Sequence, residues 1–210
     1  SNSFGFGTEA APWQTIAFAM QVIEDGGIAT ASTPVTLHLS AGLYDERVVM
    51  ASYVTIEGEG SGSTAISYFD SNQPDSSVVS MAAGSALRGL RVTIPSTAES
   101  GQPILVRIDN VSAVLEDVAI DGSIGIAQPT GVFVTGASSS NSVISDCELT
   151  NLERGVHSVD SSINVTGNLF DNIRRDAVFI GFTTKQDESQ TPVLGSLDDI
   201  TNTGFNRFRD

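Results

Sequence analysis

The chain has 210 residues, 40% of them apolar, which is enough for one sizeable core. Twenty-five acidic against ten basic residues leave a net charge of −15, with Lys185 the only lysine. That balance excludes nucleic acid and anionic membranes as partners, and repels a long polyanion unless Ca²⁺ or a local arginine cluster intervenes.

Residues 1–11 are rich in Gly and Ala and have no period, so they read as an extended lead-in. Residues 12–27 read as a helix with its stop. Pro12 suits a first turn, and Trp13, Ile16, Met20 and Ile23 make one apolar stripe. Gly26-Gly27 ends it. From Val35 the period changes to two, in Val35-Thr-Leu37-His-Leu39 and again in Tyr53-Val54-Thr-Ile56. Short strands separated by Gly, Ser, Asn and Asp follow to about residue 181.

Within these strands one figure returns in register. It reads Leu87-Arg-Gly-Leu90-Arg-Val92, Leu115-Glu-Asp-Val118-Ala-Ile120, Ile144-Ser-Asp-Cys147-Glu-Leu149 and Val165-Thr-Gly-Asn168-Leu-Phe170. Successive fourth residues lie 28, 29 and 21 positions apart. A second column follows, with Val132, Val156 and Val178 spaced by 24 and 22. Two strand columns with nearly one period describe a stack whose coils pair with the coil above and below. The expected fold is all-β: a single right-handed parallel β-helix over residues 28–210, with the helix as its N-terminal cap. At ~4.8 Å per coil, roughly six to eight coils give a stack about 30–40 Å long. Leu90, Val118, Cys147 and Asn168 then form one inward column, with Asn168 bonding backbone at a tight bend. Cys147, the lone cysteine, is a buried small hydrophobe there and forms no intrachain disulfide.

Residues 183–196 break the rhythm as a polar loop, and Asn206-Arg-Phe208 echoes Asn168-Leu-Phe170. The chain then stops at Asp210 without a lid, so a fragment, or a partner domain or subunit covering the last coil, is expected. No stretch approaches the roughly 18 apolar residues of a membrane span, and no signal peptide is visible.

Residues 13–66 resemble the opening of the pectin lyase-like superfamily, above all pectin methylesterases. The matching pieces are Trp13-Gln-Thr-Ile16 with Ala19, then Leu39-Ser-Ala-Gly42-Leu-Tyr44-Asp-Glu46 with Val48. Val54-Thr-Ile56-Glu-Gly58-Glu-Gly60 and Thr64-Ala-Ile66 complete the run. The resemblance implies the β-helix fold and a polysaccharide as the partner, in an extracellular or cell-surface setting. The catalytic segments of pectin methylesterases, pectate lyases and polygalacturonases are absent from this sequence.

Chemistry belongs on the outer surface of a strand column, where equivalent residues of adjacent coils are neighbours. Arg154, His157 and Asp160 fall on one coil, and Arg174, Arg175 and Asp176 on the next. Asp160 and Asp176 are the candidate acid and base for a glycosidic bond, with His157 as a proton carrier. Arg154, Arg174 and Arg175 are the candidate ligands for a uronate carboxylate. The alternative is that these are solvated turn residues with local ion pairs. No cofactor is implied. Ca²⁺ is the one metal weighed, on the oxygens of Asp117, Asp121, Asp146, Glu148 and Asp171, although no calcium loop is present. Two function classes follow: a carbohydrate-active or carbohydrate-binding protein (if enzymatic, a glycoside hydrolase or polysaccharide lyase), or a non-catalytic structural or adhesive module of a larger surface protein.

Overall fold

A computed structural model describes residues 7–73, 76–98, 101–123, 125, 127–183 and 206–209. Its strands are all parallel and form one continuous sheet that coils on itself as a right-handed parallel β-helix. Each coil contributes to three faces. The first face holds β1 (Val35–His38), β4 (Val54–Glu57), the first halves of β7 (Ala86–Thr93) and β9 (Val114–Asp121), β11 (Val143–Ser145) and β13 (Asn164–Thr166). The second holds β2 (Gly42–Asp45), β5 (Thr64–Ser67), the second halves of β7 and β9, the starts of β12 (Glu148–Val159) and β14 (Leu169–Gly181), and β15 (Arg207–Arg209). The third holds β3 (Val48–Val49), β6 (Ser77–Ser80), β8 (Ile104–Asp109), β10 (Thr130–Thr135) and the ends of β12 and β14.

The recurring figure is therefore not one straight strand. It turns a corner between the first and second faces, at Gly89, Asp117, Asp146 and Gly167, whose φ values are 57°, 54°, 53° and 72°. These left-handed positions explain why the figure's third residue is Gly or Asp, the types that tolerate such a conformation. Two columns of strands were expected and three are present. The third arises because the figure spans two faces and because β2 and β3 are too short to show a period.

Inside the coil, side chains stack by register. Ile56, Leu87, Leu115, Ile144 and Val165 form one buried column, and Val79, Val106, Val132 and Val156 another. Leu90, Val118, Cys147 and Asn168 are all buried, as their spacing predicts. Asn168 bonds the corner on both sides: its Nδ2 donates to the Ile144 carbonyl at 2.9 Å and its Oδ1 accepts from the Cys147 amide at 2.8 Å. Asn206 repeats the device one coil later, donating from Nδ2 to the Val165 carbonyl at 2.8 Å and accepting from the Asn168 amide at 3.0 Å. Phe208 stacks on Phe170 at 5.2 Å, so the echo at residues 206–208 is structural.

At the other end lies α1, Ile16–Asp25, with Thr15 as its N-cap. The helix starts later than the pattern suggests: Pro12 and Trp13 precede it, and Ala19 takes the place of Trp13 in the buried stripe with Ile16, Met20 and Ile23. Gly27 adopts φ 56°, its amide donating to the Glu24 carbonyl and the Ile28 amide to that of Ile23, which closes the last turn. Among the described residues no helix is long and apolar enough to cross a membrane. The polar insertion expected at 183–196 lies outside the described residues beyond Thr183.

Candidate functional site

The outer surface of the third face carries the sequence-derived candidates. Because β8, β10, β12 and β14 are in register, Arg107, Phe133, His157 and Phe179 stand one above another. The Arg107 guanidinium lies 5.3 Å from the Phe133 ring centre. Phe133 and His157 stack at 5.7 Å and 10°, and His157 and Phe179 at 4.7 Å and 14°. These spacings are about one coil repeat, so strand pairing sets the stack.

Beside this ladder, Arg154 and Asp176 are register partners, with Nε 3.8 Å from Oδ2. Arg175 reaches Glu153, Nε to Oε1 at 3.9 Å. Arg174 is exposed on the same segment. Burial and then the Arg154 charge hold His157 below the ordinary imidazole range, with Asp176 opposing and Arg175 adding to the effect. Its Nδ1 is shielded and has no hydrogen-bond partner among the described residues. The imidazole cation is therefore disfavoured on a ring stacked between Phe133 and Phe179, beside the Arg154 and Arg175 guanidinium groups.

Asp160 is elsewhere. It follows the last residue of β12, whereas Asp176 pairs with Arg154, six residues earlier on that strand. At ~3.3 Å per residue the two carboxylates are about 20 Å apart along the strand, too far to act on one glycosidic bond. The acid–base pair suggested by adjacent coils is thus not assembled. Asp160 sits at a corner with φ 56°, its Oδ1 accepting from the Thr183 amide at 2.6 Å and its Oδ2 from the Thr183 hydroxyl at 2.7 Å. Those two bonds hold its carboxyl below the usual range.

The structure thus brings together Arg154, His157, Arg175 and Asp176, and leaves Asp160 out. It adds Arg107, Phe133, Phe179 and Glu153, which sequence reasoning missed. The signal was present, because Phe133, His157 and Phe179 each follow a residue of the Val132, Val156, Val178 column. The proposed Ca²⁺ ligands do not converge: among the described residues no three His, Cys, Asp or Glu side chains group as a metal site. Asp117 and Asp146 occupy corners, and Asp121 accepts from Asn151 Nδ2 and the Ser123 amide, both at 2.9 Å.

No family model matches the chain, and no curated protein does. Solved structures do. Against pectin methylesterase from carrot the TM-score is 0.52 at 16% identity, covering 89% of this chain and 66% of that one. Against pectin methylesterase from Yersinia enterocolitica it is 0.51 at 18% identity, covering 77% of this chain and 56% of that one. The chain spans less than two thirds of either protein. At such identities the likeness is one of architecture: the chain has the pectin lyase-like parallel β-helix fold that pectin methylesterases have.

Proposed function

We propose that the chain binds an acidic polysaccharide, outside the cell or at its surface, along the outer face of β8, β10, β12 and β14. One observation carries this reading. In a chain with ten lysines and arginines in all and a net charge of −15, Arg107, Arg154, Arg174 and Arg175 fall on that face and its entry corner. This is the local arginine cluster that lets a polyanion approach an otherwise repellent surface. The solved structures that share the fold are named for pectin, which is consistent with such a ligand. Binding is favoured over bond cleavage because Asp160 and Asp176 are not paired across a substrate position.

Polygalacturonate, alginate and a neutral galactan, compared by isothermal titration, test this. The two acidic chains bind and the galactan does not, with no release of reducing ends and no unsaturated product. Arg154→Ala with Arg175→Ala weakens binding at least tenfold, which is ~1.4 kcal/mol. Equal binding of the galactan, or no binding of either acidic chain, refutes the proposal.

The second reading, a structural or adhesive module, has its own support. The ladder rings spend their faces on one another, so Phe133 and His157 offer edges rather than sugar platforms. Among the described residues, Phe179, 42% exposed, is the one ladder ring not enclosed between two ladder partners.

A further inference from the structure

The N-terminal end of the stack holds a second feature, apart from the basic face. A cleft of about 750 Å³ lies between α1 and β1. Its floor is apolar, with Ile16 and Ile23 from the helix and Val35 and Leu37 from the strand. Its rim is acidic, with Glu9, Glu57 and Glu59. Trp13 and Tyr44 also line it. Burial, then the Glu59 and Glu46 carboxylates, push the Tyr44 phenol up, which reflects the negative field at this end.

One wall of the cleft is an open sheet edge. Among the described residues β1 pairs with β4 alone. The Val35 amide donates to the Tyr53 carbonyl and the Leu39 amide to that of Glu57. The polar backbone groups of alternate residues in a strand point to opposite edges, so those of Thr36 and His38 face away from β4. Val35 and Leu37 are only half-buried, while their register partners Val54 and Ile56 are fully buried. Among the described residues the first coil therefore lacks the neighbour that later coils have on that side. An edge with unpaired donors and acceptors beside an apolar floor is a template for one more strand.

We propose that this cleft is a docking site for an extended basic segment of a partner protein. The segment adds to the open edge of β1, sets apolar side chains on Val35 and Leu37, and presents lysine or arginine between them to Glu9, Glu57 and Glu59. Charge decides the partner. The one basic side chain of the lining, His38, is already paired with Glu57, Nδ1 to Oε2 at 3.2 Å, so the uncompensated charge of the rim is negative. An acidic or neutral strand gains the backbone bonds without that attraction.

Trp13 is the only tryptophan, so its emission reports on this cleft alone. The probes are end-blocked hexapeptides titrated into the intact chain. An alternating valine–lysine peptide gives a saturable change in Trp13 emission. Valine–glutamate and serine–lysine peptides bind at least tenfold more weakly, as does the valine–lysine peptide N-methylated on its edge-facing amides. Glu59→Gln weakens the valine–lysine peptide severalfold and leaves polygalacturonate binding unchanged. Absence of a saturable change up to about 1 mM, a binding energy near 4 kcal/mol, overturns the proposal. Equal affinity of the valine–glutamate peptide overturns the choice of a basic partner. Equal affinity of the N-methylated peptide overturns strand addition.

Discussion

The carboxylate of Glu46 holds the start of α1 from thirty residues away, its two oxygens accepting from the Ile16 and Ala17 amides at 2.9 Å each. A helix N-terminus has unpaired amides and a positive dipole end, so an acidic side chain from the first coil is a natural fastener. This gives physical content to two separate pieces of the sequence, Trp13-Gln-Thr-Ile16 and Gly42-Leu-Tyr44-Asp-Glu46: they are the two halves of one joint. At the same scale His157 shows how position sets charge. Its folded pKa lies below the ordinary imidazole value of 6.5. The unfolded chain therefore binds more protons just below that pH, so stability falls as pH falls through this window and is flat above it. Imidazole NMR should show His157 titrating below 6.5, and the melting temperature should drop between pH 7 and pH 5. His157→Phe, which keeps the stack with Phe133 and Phe179, should remove part of that slope. An unchanged slope would mean that other groups set it.

At the scale of elements, corners matter more than strands. Strand positions were legible because inward residues repeat with the coil, as in Val132, Val156 and Val178. The corner between the first two faces was hidden, since a left-handed residue leaves no break in the apolar pattern of Leu87, Leu90 and Val92. The candidate site was legible only as a region. Residues on one coil look adjacent in sequence, but Asp160 lies just past the end of β12, six residues beyond Arg154, and only register separates them. The ring stack was also readable from that register, one position beyond each inward valine. Corners are where single substitutions are most costly. Asn168→Leu fills similar space but leaves the buried Cys147 amide without its partner and removes the Nδ2 bonds to the Ile144 carbonyl and Asn206 Oδ1. At roughly 1–3 kcal/mol for the unpaired amide and ~0.5–1.5 kcal/mol for each lost bond, the loss should be about 3 kcal/mol. Thermal unfolding should show it as a drop of ~6–12 °C. Asn172 donates to Asn151 Oδ1 at 2.8 Å on the exposed corner and has φ 52°. Asn172→Gly keeps that backbone and lets water replace the bond, so it should change stability by less than ~1 kcal/mol.

For the whole molecule, stacking makes stability local, because each coil touches only its neighbours. The helix fastened by Glu46 protects the first coil, and the Asn168–Asn206 pair protects the last ones. Cys147 lies in the fifth coil, next to the second device and far from the first. Burial pushes its thiol up to about 12 and its Sγ donates to the Ser145 carbonyl at 3.2 Å. The attacking species toward a disulfide reagent is the thiolate, so the folded chain is inert at pH 8 and reacts only when this coil opens. Labelling with Ellman's reagent should be at least ~1,000-fold slower in buffer than in urea. Asn168→Leu should accelerate it tenfold or more, since ~1.4 kcal/mol of lost local stability is already a factor of ten. Glu46→Ala should lower the melting temperature yet change the labelling rate less than about threefold, because coils two to four separate it from Cys147. If both substitutions speed labelling in proportion to the stability each removes, the stack opens as one cooperative unit, and the nearest-neighbour account of this β-helix fails.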